Sequence, residues 1–190
     1  DRIVCLGSCF ATNIARRLQE SKFQVVDNPT GILFNPASIA RSVRLMTKRY
    51  TINNSDIFER NGRYVSYLFH SGSTPTEAID KMNSALHNGA KAIDSASLII
   101  VTLGSAYVWR DMSGEVVANC HQMSSKNFTN ELLSVEHITE SLREIVTHTK
   151  AKILFSISPV RHLNDGLEGN SLSKALLRVA VDNIIKEHSN

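Results

Sequence analysis

No run of apolar residues in this 190-residue chain approaches the roughly 20 that a helix needs to cross a bilayer. A basic, apolar and small-residue signal pattern is also missing from its front. The reduced thiols expected from the cysteine count below point to the cytoplasm, with the periplasm as the alternative if a leader has been removed, and no membrane partner is expected. Charge of one sign is scarce as well: 21 Lys and Arg against 18 Asp and Glu leave a net +3. With no like-charged block, nothing marks a nucleic-acid-binding arm. Arg41, Arg44 and Lys48 do fall at helical spacing, and they read as a solvated helix face. The cysteines number only three, Cys5, Cys9 and Cys120, which excludes a disulfide framework and favours reduced thiols. No Cys/His spacing suits a metal and no glycine-rich phosphate loop occurs, so neither metal nor cofactor is expected.

What the chain does have is an alternation of short apolar runs with amphipathic stretches, and at 42% hydrophobic it can fill one core. A single domain over residues 1–190 is expected. Ile3 to Leu6 reads as a buried strand, Ala11 to Glu20 as a helix, and Phe23 to Val26 as a second strand. Asn35-Pro36 opens a helix to about Arg49, and Phe58 to Tyr67, split by Asn61-Gly62, forms a hairpin. Thr74-Pro75-Thr76-Glu77 caps a helix that should end near His87, before Asn88-Gly89. Leu98 to Leu103 is a strand buried on both faces, followed by a hairpin of Ala106–Trp109 and Val116–Asn119. Ser134 caps a helix with Ile138, Leu142, Ile145 and Val146 inward. Ile153 to Ile157 is a fourth core strand, and a last helix spans about Leu172 to His188. Strands separated by helices give an α/β fold with a mostly parallel sheet between two helical layers.

Sites in such sheets gather at the carboxyl ends of the strands. Four of those ends carry Gly7-Ser8, Asn28-Pro-Thr-Gly31, Gly104-Ser105 and Ser158-Pro-Val-Arg161-His162. Of these, Ser8 stands where a strand turns into a helix, beside N–H groups that stabilise negative charge, which is a nucleophile's position. Cys9 is the competing nucleophile, one residue on, and is expected to point into the helix packing. His162 follows the fourth strand and is this chain's candidate base, with Arg161 beside it for an anionic group or a sugar hydroxyl. His121 falls on a hairpin that can form the pocket rim. His70, His87, His137, His148 and His188 are read as surface or packing residues, His70 alone having a context that bears on the family below.

Gly7-Ser8-Cys9-Phe10-Ala11 resembles the signature of the GSCFA family, a bacterial branch of the SGNH hydrolases. The resemblance extends to Asn28-Pro-Thr-Gly-Ile-Leu-Phe-Asn-Pro36, Gly104-Ser-Ala-Tyr-Val-Trp109, Asn119-Cys-His121, Ser158-Pro-Val-Arg-His162, Asp165-Gly166 and Ser173-Lys174-Ala175. It implies a flavodoxin-like three-layer α/β/α fold and acyl-ester hydrolysis through a serine acyl-enzyme. Carried over, Ser8 is the nucleophile, and the oxyanion donors are Ser8, Gly31 and Gly104. The resemblance implies a Gly-x-Asn in the third block, which here reads Gly104-Ser105-Ala106, so a small residue stands where the Asn donor is expected, and Asn28 and Asn35 are the substitutes. Ser105 is kept as a candidate substrate contact. The resemblance also places an Asp-x-x-His block near the end of such chains, and none occurs in these residues. The expectation is therefore that the domain continues past both ends of this chain and that the missing block supplies the base and its Asp.

The expected function is that of a serine esterase or deacylase acting on a small-molecule or carbohydrate ester, the sugar being implied by the resemblance alone. The alternatives are a noncatalytic carbohydrate- or peptide-binding module, motivated by the altered third block, and an acyltransferase using the same serine.

Overall fold

A computed structural model describes residues 2–67, 72–118, 120, 123–161 and 164–188. In chain order the elements are β1 (Arg2–Gly7), α1 (Cys9–Glu20), β2 (Gln24–Asp27), α2 (Pro36–Thr47), β3 (Phe58–Arg60), β4 (Arg63–Val65) and α3 (Pro75–Asp94). They continue as β5 (Ala96–Leu103), β6 (Tyr107–Asp111), β7 (Val116–Val117), β8 (Phe128–Leu132), α4 (Val135–Thr147), β9 (Lys152–Ile157) and α5 (Gly166–His188). Four of the strands form a parallel sheet in the order β2-β1-β5-β9. Period-2 alternation sorts its side chains between two helical layers. Ile3, Cys5 and Ile100 meet Ala11 and Ala15 of α1 on one face. Val4, Leu6, Ile99, Val101 and Leu103 face the other way, against buried residues of α2, α3, α4 and α5. Both layers thus leave the carboxyl ends of β1, β2, β5 and β9 on one edge.

Local chemistry starts the helices where the sequence signals lie. Asn35 accepts from the Ser38 N–H at 2.8 Å with Pro36 at the first helical position, and Thr74 accepts from the Glu77 N–H at 3.2 Å. The Asn61-Gly62 turn closes the antiparallel β3–β4 pair with both residues at positive φ, 50° and 71°.

Several expectations are corrected. Helix α3 does not stop at His87 but runs to Asp94, because Asn88-Gly89 is a packing point rather than a terminator. A Cβ on Gly89 would stand 2.2 Å from the Met46 sulfur of α2, so glycine lets the two helices close. Helix α5 begins at Gly166, earlier than Leu172. Strand β8 was not foreseen, and it makes the second hairpin a three-stranded sheet in the order β7-β6-β8. Arg41 and Arg44 do not lie on a purely solvated face: Arg44 donates to Glu144 of α4, and Arg41 to the Val116 carbonyl at 3.1 Å. No helix among the described residues is long and apolar enough to cross a membrane.

Candidate active site

Strand β1 ends in a residue that only glycine satisfies. Gly7 has φ +126°, and a Cβ there would lie 2.1 Å from the Thr102 carbonyl oxygen of β5. This close approach brings the Ser8 N–H to that same oxygen, at 3.1 Å. Ser8 is the N-cap residue of α1, yet its side chain makes no cap hydrogen bond. It is only 1% exposed, and its Oγ is buried without a partner among the described residues. Leaving a buried hydroxyl unpaired costs on the order of 1–3 kcal/mol, so the fold carries a penalty at this atom.

The loop after β2 and the end of β5 close on Ser8 through backbone contacts. Leu33 N–H donates to the Gly7 carbonyl at 3.0 Å, and the Phe34 carbonyl accepts from Gly104 N–H at 2.7 Å and Ser105 N–H at 3.0 Å. A Cβ on Gly104 would stand 3.2 Å from Ser8 Cβ and 3.1 Å from the Phe34 ring, so the bare glycine is what allows the three segments to meet. Ser158 N–H donates to the Leu103 carbonyl at 2.8 Å and brings the loop after β9 to the same edge. On that loop Arg161 is exposed, with no hydrogen-bond or ion-pair partner among the described residues. His162 and His121, like His70 and Asn119, lie outside the described residues.

The structure separates the two asparagine candidates. Asn28 is fully committed: its Oδ1 accepts from Gly7 N–H at 2.8 Å, and its Nδ2 donates to Thr12 Oγ1 at 3.1 Å and Asp27 Oδ1 at 3.0 Å. It fastens β1, β2 and α1 together rather than facing a ligand. Asn35 has only its oxygen engaged, as the α2 cap, and its Nδ2 finds no acceptor among the described residues. Because Asn35 adjoins Phe34, whose carbonyl holds Gly104 and Ser105, that amide is the asparagine donor left at this edge.

The three backbone donors assigned from the motifs are each engaged in this structure. Ser8 N–H goes to Thr102, Gly31 N–H to the Asn28 carbonyl at 2.8 Å, and Gly104 N–H to Phe34. Donors at a packed edge pair with the nearest carbonyls, for the same reason that buried backbone groups are rarely left alone. At the start of α1, Ala11 N–H turns back to the Ser8 carbonyl, which leaves the Cys9 and Phe10 N–H groups that a helix cannot satisfy internally. Ser105 is also spoken for, since its Oγ accepts from Tyr107 N–H at 3.0 Å and shapes the turn into β6.

Cys9 is exposed, contrary to the expectation that it packs inward. It sits roughly 200° around α1 from Ala11, which faces the sheet. Cys5 is the inward thiol, and burial followed by the Asp27 charge pushes its pKa up to about 11, so it stays protonated. No group of three or more His, Cys, Asp and Glu side chains among the described residues could hold a metal ion.

Helix α5 adds two residues to which the sequence motifs gave no role. Ser173 Oγ accepts from Ala106 N–H at 2.8 Å, and Lys174 Nζ donates to the Gly104 carbonyl at 2.5 Å. No spacing rule links residues 70 positions apart to one turn. Neither a curated protein nor a solved structure matches the chain. The family model that does match, over residues 2–190, is that of the GSCFA family, and this chain belongs to that family.

Proposed function

We propose that this chain is a serine hydrolase of the SGNH type that cleaves an acyl ester through a Ser8 acyl-enzyme. The observation that carries the reading is the Ser8 hydroxyl, buried and unpartnered at the junction of β1 and α1. The parallel order β2-β1-β5-β9, with the serine at the carboxyl end of β1, supports the finer assignment to a flavodoxin-like three-layer fold. In this reading Ser8 Oγ attacks the ester carbonyl, the bond to the alcohol breaks, and the proton passes to an imidazole and then to the departing alcohol. His162 is this chain's candidate for that imidazole. Charge developing on the carbonyl oxygen is met by the Cys9 and Phe10 N–H groups, the positive end of α1 and Asn35 Nδ2. Water then releases the acyl group. Exposed Arg161 suits a substrate with an anionic or hydroxyl-rich alcohol half, such as a sugar.

A second reading, a noncatalytic binding module, draws support from the engaged N–H groups of Gly31 and Gly104 and from Ala106 where the third block would carry an asparagine. Mapping a fluorophosphonate adduct by mass spectrometry, on protein made from its complete reading frame, separates the two. The expected result is an adduct on Ser8 that is lost in Ser8→Ala and retained in Cys9→Ser. Protein that stays unlabelled at Ser8 overturns the hydrolase and leaves the binding module.

A further inference from the structure

We propose that Lys174 is an electrostatic positioning residue of the Ser8 site, its ammonium clamping the Gly104 carbonyl and setting a positive charge behind the serine that favours negative charge on oxygen there. The inference rests on the reading of Ser8 as nucleophile. Lys174 projects from the third turn of α5 and reaches Gly104, the residue whose bare Cα lets β5 approach Ser8. Its neighbour Ser173 ties the same turn at Ala106, so α5 holds both ends of the Gly104–Ala106 segment.

Two features distinguish this lysine from one that merely packs. It is partly buried, yet among the described residues its ammonium has no carboxylate partner and only one acceptor, the Gly104 carbonyl. Taking a cation out of water without an anion is unfavourable, and the site it borders is where an oxyanion would form. The third sequence block also lacks the asparagine that would otherwise donate there, and the Gly31 and Gly104 N–H groups are engaged, so a nearby cation adds to what the Cys9 and Phe10 N–H groups supply. Burial lowers the Lys174 pKa from its usual range. Of the charged and titratable groups on the neighbouring elements, Glu168 and Arg178 of α5 and Arg161 after β9 are exposed, Tyr107 of β6 lies against α5 at Gly169, and Asp165 before α5 accepts from Asn130 Nδ2 at 2.9 Å.

The test is the second-order rate of Ser8 labelling by a fluorophosphonate, measured against pH on protein from the complete reading frame. In that reaction the Ser8 Oγ–P bond forms, the P–F bond breaks, fluoride leaves and the hydroxyl proton passes to the site's base. Lys174→Met is expected to slow labelling about tenfold, less than the loss of a direct oxyanion donor because the charge acts from one residue away. Lys174→Arg is expected to stay within about threefold of wild type, since a guanidinium remains charged throughout. Wild type should lose rate at alkaline pH, below the range in which an exposed lysine titrates, and Lys174→Arg should not. The wild-type and Lys174→Arg profiles decide the question even if Lys174→Met fails to fold. The proposal falls if Lys174→Met is labelled as fast as wild type, or if wild type and Lys174→Arg share one alkaline profile. Wild type that takes no adduct on Ser8 overturns the hydrolase reading and this inference together, whereas a Ser8 adduct indifferent to Lys174 overturns this one alone.

Discussion

Ser8 and Ser134 hold the same position at the start of two helices, and only one of them acts as a cap. Their backbones are nearly superposable, with φ −69° at both and ψ 173° and 162°. Ser134 is exposed and its Oγ accepts from His137 N–H at 3.3 Å, while Ser8 is buried and its Oγ accepts from nothing described. The hydroxyl that water could satisfy is used, and the one that water cannot reach is not. Helix α1 can dispense with its cap because the backbone around it is held elsewhere, by Asn28 Oδ1 on Gly7 N–H, the Gly7 carbonyl on Leu33 N–H and the Thr102 carbonyl on Ser8 N–H. In the proposed hydrolase, a hydroxyl withheld from the fold in this way trades stability for chemistry.

The comparison is broken most severely at Gly7. In Gly7→Ala the new methyl group meets the Thr102 carbonyl oxygen, and backbone at φ +126° must relax, so urea unfolding should show a loss of about 3 kcal/mol or more. A variant as stable as wild type would mean that the β1–β5 junction tolerates movement and does not fix Ser8.

The serines themselves sharpen it. Ser134→Ala should lower stability by about 1 kcal/mol, as removal of a cap does. Ser8→Ala should leave stability unchanged or raise it by up to about 1 kcal/mol, since it removes an unsatisfied hydroxyl. Equal losses in the two variants would show that Ser8 is an ordinary cap, and the idea of a withheld hydroxyl would be wrong.

The smallest effect is expected at the most polar helix start. Glu77 accepts from Lys81 Nζ and from Ser73 N–H, and these bonds hold its pKa at about 2 against an ordinary 4.5. A depressed carboxyl contributes stability above the unfolded value and loses it as pH falls from 4.5 through about 2. The melting temperature of wild type should therefore drop across that window slightly more than that of Glu77→Gln. Parallel curves would show that the exposed pair adds nothing measurable.

Much of the fold could be read from spacing because its signals are local. Asn35-Pro36, Thr74-Pro75 and Ser134 cap by contacts within one turn, and Asn61-Gly62 turns a hairpin through its own backbone angles. Where the reading failed, a distant partner was in control. Asn88-Gly89 carries a terminator's signature, but Met46 of α2 makes the glycine a packing residue. Strand β8 alternates only weakly, and it exists because β6 offers it a ladder from Tyr107 to Asp111. At the site, Ser8 was legible from the strand-to-helix turn, whereas the choice between Asn28 and Asn35 was not, because it turns on which amide hydrogens are already spent.

By itself the sequence determined the alternation of strands and helices, the caps, the glycines at the strand ends, the family and the serine at the end of β1. These are set by periodicity, by backbone angles and by hydrogen bonds spanning a few residues, all written in consecutive letters. Tertiary structure alone decided that Ser8 is buried and unpartnered, that the N–H groups of Gly31 and Gly104 are engaged, that Cys9 faces out, and that Lys174 reaches Gly104 from α5. Each of these depends on which groups distant segments bring within about 3 Å, the range over which a hydrogen bond is made or a donor is left over.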